Sequence, residues 1–403
     1  MLTRIKWLLC TFVVCVAANA VWAQSSLSEF RKTLHEKAAF EETDFAALQL
    51  NQPVVRLAPT SDKREIAVSG LVNIRAGAEE FLRSYRESMT RKTNPAVLEI
   101  GSFATQPGIS DLDSLTLEAS DIEDLKDCVV GDCQLKLSAS MIERFRKEID
   151  WNAADYQLAA TNLFKQMLLD YVRDYRTRGE AALIEYNDKQ NEVSLAAEQR
   201  ALNAASSYIN GLLTGAKSDL QLAEDSIVWS KIKFGLKPVI AINHVRIYRR
   251  HSDAGPQVLI ASNQIYANHY FNASQALTAF VNIPGENQGA YLVSENRSRA
   301  DGLEGPFGKL KRGVVEKKAL EGLKGILEHS QATLGGSALT ASTEDYAAYQ
   351  SDGWGHRLFG GIRPLLWLLV LSALIALLAL GKRRVDNHAA SKAKGLKPES
   401  VKS

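Results

Sequence analysis

Cysteine is scarce in this chain: its 403 residues contain only 4. Two of them, Cys10 and Cys15, fall in the first apolar run and lack the small residue that normally precedes a lipidated cysteine, which argues against a lipid anchor. An excess of charge of one sign is also missing. With 48 Lys and Arg against 46 Asp and Glu, nothing in the composition points to nucleic acid. There is no internal repeat, no Gly-x-Ser-x-Gly nucleophile turn, no phosphate-binding glycine loop and no His-x-x-x-His zinc pair. These absences lower the expectation of an enzyme without excluding one, and they leave no metal and no cofactor to predict.

What is present begins at the ends. Arg4 and Lys6 precede an apolar core from Trp7 to Ala18, and Val21-Trp22-Ala23 sets small residues where a signal peptidase inspects them. Residues 1–23 therefore read as a secretory signal, with Gln24 as the first mature residue and 24–63 as an N-terminal segment. Pro364 to Leu380 carries no charge and is dominated by Leu, Ile, Val and Ala. At about 1.5 Å per residue it would reach roughly 26 Å, enough for a single transmembrane helix. Trp354, Phe359 and Trp367 lie at one edge, and Lys382-Arg383-Arg384 open a basic tail over 381–403 that the positive-inside rule keeps in the cytoplasm. A Gly/Ser/Ala/Thr-rich stretch over 335–363 reads as a flexible stalk. The expected location is the cytoplasmic (inner) membrane, with one pass, the body in the periplasm or another extracytoplasmic space, and the lipid bilayer as a partner.

Cys128 and Cys133 stand in Cys-Val-Val-Gly-Asp-Cys. In an oxidising compartment so close a pair, with a Gly-Asp turn between, is expected to form a local disulfide. A metal site would need further ligands nearby, and a thioredoxin-like motif would need two intervening residues. Neither condition is met.

The body between the ends spans roughly 310 residues, room for one large domain or two ordinary ones. After an amphipathic segment (Leu27 to Leu50), Arg64 to Arg75 alternates as a strand does, and helical spacing follows from Gly77 to Met89. Strands are predicted at Ala96 to Ala104, Leu112 to Ala119 and Gln134 to Leu137. Ser138 reads as a helix cap. Tyr156, Ala160, Leu163, Met167, Tyr171 and Tyr175 then form a helical stripe, Gly179 interrupts it, and a further helical section covers Leu195 to Leu213. Antiparallel strands are predicted at Ile227 to Phe234, Val239 to Arg249, Gln257 to Phe271, Leu277 to Ile283 and Ala290 to Arg297, separated by Pro and Gly signals. A long helix from Lys309 to Leu334 closes the body.

This order resembles the START-like, or SRPBCC, helix-grip superfamily. The likeness lies in the opening unit Glu65-Ile66-Ala67-Val68-Ser69-Gly70-Leu71-Val72-Asn73-Ile74-Arg75 with Ala78-Glu79-Glu80-Phe81, and in the closing sheet and helix. The resemblance implies an α+β fold over 64–334: a curved antiparallel sheet gripping a long C-terminal helix around an apolar cavity, here with a helical insertion over about 138–223 and the C-terminal transmembrane helix added. The segments Cys128 to Phe145 and Tyr266 to Gly308 also look like those of bacterial membrane-anchored proteins with no assigned activity.

The most unusual composition is Tyr266-Ala267-Asn268-His269-Tyr270-Phe271, followed downstream by Glu295-Asn296-Arg297-Ser298-Arg299-Ala300-Asp301-Gly302. On neighbouring strands, His269 with Glu295 or Asp301 would supply an acid and a base, while Tyr266, Tyr270, Asn296, Arg297 and Arg299 would hold a ligand or its head group. The competing reading makes these charges ion pairs with the helical insertion or solvent. His244 falls on the strand face opposite Val239, Ala241, Asn243, Val245 and Ile247, which marks a satisfied histidine more than a ligand. Three functions follow. The favoured one is an extracytoplasmic module binding a lipid or other apolar small molecule. The others are a hydrolase- or cyclase-like enzyme on the same fold and a non-catalytic envelope assembly protein.

Overall fold

A computed structural model describes residues 27–90, 96–213, 220–252, 255–283, 289–304 and 308–334. In chain order these contain a helix over 27–38 (α1), α2 (Glu42–Gln49), β1 (Val54–Leu57), β2 (Glu65–Ile74), α3 (Ala78–Thr90) and β3 (Val97–Phe103). A helical block follows: α4 (Ala119–Lys126), α5 (Ala139–Glu148), α6 (Tyr156–Arg178), a small ribbon of β4 (Glu185–Tyr186) and β5 (Val193–Ser194), α7 (Leu195–Ala205) and α8 (Ile209–Leu212). The body ends with β6 (Gln221–Ile232), β7 (Val239–Ser252), β8 (Gly255–Ala267), β9 (Ala273–Val281), β10 (Ala290–Arg299) and α9 (Gly308–Leu334).

Strands β6 to β10 form a meander, β2 adds to β10, β1 to β2, and β3 to the far side of β6. The result is an eight-stranded sheet in the order β1-β2-β10-β9-β8-β7-β6-β3 in which every neighbouring pair is antiparallel. Since β2 and β3 stand on opposite sides of the meander, α3 carries the chain across.

Both faces of the sheet are used, because alternate residues point opposite ways. One face carries Val72, Val245, Ile247, Val258, Ile260, Phe280 and Leu292, covered by Phe81 and Leu82 of α3 and by Leu323 and Leu327 of α9. Gly70 of β2 makes that approach possible: a Cβ there would lie 2.5 Å from Cδ1 of Leu327 and 3.0 Å from Cδ2 of Leu323. The opposite face is covered in two parts. Helices α1, α2 and α8 pack Phe30, Leu34, Phe45 and Ile209 onto Leu71, Leu259, Leu277 and Val293. The helical block packs Phe145, Phe164, Met167 and Tyr171 onto Trp229, Ile240, Ile242 and Tyr266. Trp229 lies over Gly101 of its partner strand, where a Cβ would stand 2.6 Å from the indole.

Local signals explain many boundaries. Ser138 caps α5 by accepting from the Met141 amide at 3.3 Å, and the stripe from Ala160 to Tyr175 is the buried face of α6. The strands expected at Leu112 to Ala119 and Gln134 to Leu137 do not form. Ile109–Leu112 is a 3-10 turn, α4 begins at Ala119, and the Lys136 amide bonds the Asn268 carbonyl outside any strand. Short apolar runs bury equally well as turns against a helix, and Leu112, Leu115, Leu135 and Leu137 all enter the core of the helical block. Cys128 and Cys133 are joined in a disulfide, with Cα atoms 4.5 Å apart.

The fold class needs one correction. The described chain is α+β with a large antiparallel sheet, but no helix among the described residues is long and apolar enough to cross a membrane. The longest helices are amphipathic: α6 includes Lys165, Asp170, Arg173 and Asp174, and α9 includes Lys309, Arg312, Glu316 and Lys317. The run 364–380, on which the transmembrane expectation rested, lies outside the described residues, as do the signal, stalk and tail over 1–23, 335–363 and 381–403.

Candidate functional site

The middle of a large sheet is normally its best-covered part. Here the α9 face of β8, β9 and β10 is only half covered. Leu323 and Leu327 seal its apolar rows, but the first half of α9 has no fully buried residue between Lys309 and Gly322. On that face, register places Ser262, Ala276 and Asn296 in one row, with Ser274 and Ser298 in the next. All five are partly exposed although they lie on central strands. Thr278 and Ser294 mark the boundary with the apolar rows. The hydroxyls pair across strands, Ser274 Oγ to Ser298 Oγ at 2.9 Å and Thr278 Oγ1 to Ser294 Oγ at 3.1 Å. The outcome is a half-covered trough with a hydroxyl and amide floor and an apolar end at the rows packed under Leu323 and Leu327.

The helix α9 itself rests mainly on β2, with Leu323 and Leu327 against Gly70. Burial draws the Lys318 ammonium below its ordinary pKa, Glu321 opposes this, and Lys233 adds to it.

Of the acid–base group expected from sequence, His269 and Glu295 are not drawn together. His269, in the turn after β8, has its Nε2 3.1 Å from Oδ2 of Asp121 on α4. Lys237 Nζ approaches the other oxygen of Asp121 at 2.8 Å and also bonds Asp124. Burial pushes the Asp121 carboxyl up, but the bonds from His269 and Lys237 outweigh it and hold the group below its usual value. The ammonium sits among these side chains where a cation would be sought. Among the described residues no group of three or more His, Cys, Asp or Glu is placed to hold a metal ion. Glu295 stands opposite Leu277 in the sheet, about five residues and roughly 17 Å along β9 from that turn. Asp301 opens the 3-10 turn Asp301–Leu303.

Glu295, Arg297 and Arg299 face the opposite side of the sheet from the trough, in a buried ionic network. Arg297 binds Glu65 at 2.7 Å and Glu295 at 2.9 Å. Arg299 binds Glu65 at 2.9 Å and Glu198 of α7 at 3.1 Å. Ser69 and Tyr208 donate to Glu295 at 3.3 and 2.6 Å, and burial together with Glu295 drives the Tyr208 phenol well above its ordinary pKa. Of the residues expected to hold a ligand, Asn296 alone lies in the trough. Tyr266 is fully buried and donates to the Lys136 carbonyl at 3.2 Å. Tyr270 is exposed and its hydroxyl accepts the amides of Leu236 and Lys237. The serines of the trough escaped the sequence reading because lone serines and alanines on alternate positions look like any solvated strand face.

His244 lies where its strand position placed it, on the face away from the trough. It bridges the sheet to the helical block, with Nδ1 2.8 Å from the Tyr175 hydroxyl and Nε2 2.9 Å from Asp225. Comparison of the chain with protein-family models, with curated proteins and with solved structures finds no match to any of them.

Proposed function

We propose that this protein is a non-catalytic, extracytoplasmic binding module of the START-like kind that takes a lipid or other apolar molecule bearing a polar end. The observation that carries this reading is the half-covered trough beside α9. Central strands left open to solvent, with hydroxyls and an amide in place of core side chains, offer one end for polar contacts and one for apolar contacts. The opening strand and helix, the meander and the closing helix support the family resemblance, and the Cys128–Cys133 disulfide fits an oxidising compartment. The catalytic alternative has less support, because His269 is engaged with Asp121 and Glu295 with Arg297.

The test is direct binding. The purified full chain is titrated with dansyl-undecanoic acid, and co-purified small molecules are identified by mass spectrometry. Ala276→Trp fills the trough without touching the ionic network, and its affinity is expected to fall about tenfold or more. Equal probe binding by both proteins, or no binding by the parent, removes the trough as the site.

A further inference from the structure

A cleft of about 700 Å³ opens in the helical block, between the start of α5, the second half of α6 and the chain leading into β4. Its floor is apolar: Met141, Met167, Tyr171, Leu183 and Ile184 line it, and all five are otherwise buried. The Tyr171 hydroxyl is engaged inward, donating to the Ile265 carbonyl at 2.6 Å and accepting the Ile184 amide at 3.4 Å. Only its ring is left for an occupant.

The rim is ionic and leans negative. Arg178 is neutralised by Asp174 at 2.6 Å, and Arg144 by Glu148 at 2.6 Å and 3.1 Å. Asp170 then holds only the Gln166 amide at 2.8 Å and a distant share of Arg144 at 3.6 Å. Exposed Glu185 has no ion partner among the described residues. The start of α5 does not offset this excess with an anion site, because Ser138 and Asn187 already accept the Met141 and Ala139 amides. A backbone edge completes the cleft. The Leu195 amide bonds the Ile184 carbonyl at 3.1 Å, which makes Glu185 and Ser194 the non-hydrogen-bonded pair of the small ribbon. The N–H and C=O of Glu185 therefore point away from β5, and Glu185 lines the cleft.

We propose that this cleft binds an extended peptide segment in which apolar and basic side chains alternate. Its main chain pairs with Glu185, its apolar side chains meet Met141 and Met167, and its basic ones meet Asp170 and the Glu185 carboxylate. A strand added to a free edge gains affinity from main-chain bonds and selectivity from the places taken by alternate side chains. The α6 wall, from Met167 to Arg178, is roughly 16 Å long, which matches about five extended residues. An acidic peptide would meet the unneutralised carboxylates, and a small organic cation would leave the Glu185 edge unpaired. The cleft shares no residue with the trough, so it stands whether or not the trough holds a ligand.

The test follows fluorescence anisotropy as the full chain is titrated into a fluorescein-labelled pentapeptide of alternating lysine and leucine, or into its glutamate and leucine counterpart. The lysine peptide is expected to bind about tenfold or more tightly than the glutamate one. Asp170→Lys with Glu185→Lys changes two exposed side chains and should reverse that preference. The same change of charge on α1, Glu29→Lys with Glu36→Lys, should leave it as it was. Ala181 is an exposed residue of the lining, and Ala181→Trp should fill the cleft and weaken the lysine peptide about tenfold. Equal binding of the two peptides, reversal by the α1 pair as well, or affinity untouched by Ala181→Trp overturns the proposal. Saturable binding of the tetraphenylphosphonium ion in place of the peptide does the same.

Discussion

At the scale of single residues, the ionic network behind β10 decides what Arg297 and Glu295 are for. Carboxylates Asp62, Glu65, Glu198 and Glu295 meet guanidinium groups Arg64, Arg297 and Arg299, and the hydroxyls of Ser69 and Tyr208 complete Glu295. Arg297 and Glu295 have side chains only 4 % and 0 % exposed. Taking one partner from such a pair leaves a buried charge unmatched, which costs about 3–5 kcal/mol. Arg297→Met should therefore lower unfolding stability by that amount in a denaturant titration, and Glu295→Gln in the same chain should recover part of the loss. A group held for ligand contact or catalysis would instead leave stability nearly unchanged. The residue types were legible as a charged cluster in the sequence, and so was the possibility of pairing. Their partners Glu65 and Glu198 were not, because they lie more than two hundred and about a hundred positions away.

At the scale of elements, the seating of α9 depends on a gap in β2. Gly70 is opposite Ser294, in the row where α9 passes closest to the strand. A valine here suits a strand but drives methyl groups into Leu323 and Leu327. Gly70→Val is expected to cost about 1–3 kcal/mol by overpacking. Hydrogen exchange should become faster at the second half of α9, with the amides of β7 and β8 unaffected. Unchanged protection of α9 would show that the helix is held elsewhere. The helix and the five long strands were readable from periodicity and from Pro and Gly punctuation. Leu112 to Ala119 and Gln134 to Leu137 do not form the expected strands, because their leucines serve a neighbouring helix and no local pattern announces that neighbour.

Across the whole molecule, the helical block meets the sheet through the apolar contact around Tyr266 and through His244. Burial lowers the His244 pKa from its ordinary value, and Arg246 and Arg176 reinforce this while Asp225 opposes it. Because the folded pKa lies below the unfolded one, the stability linked to His244 is complete above about pH 6.5. It is lost as the pH falls through that value toward the folded pKa, since the unfolded chain then binds the extra proton. Relative to His244→Gln, the parent should thus lose stability as the pH falls below about 6.5. Parallel pH profiles of the two proteins would assign the acid sensitivity to other groups.

The sequence alone determined the secondary-structure inventory of the second half, the cap at Ser138, the buried stripe of α6 and the proximity of Cys128 to Cys133. Each of these depends on neighbours within a few positions, where periodicity and spacing operate. Only the tertiary structure decided the rest. It sent His269 to Asp121, set Glu295 and both arginines behind the sheet, and left serines of the central strands open on the face that α9 partly covers. Those outcomes depend on strand register and on which helix covers which face, and both are set by contacts between residues far apart in the chain.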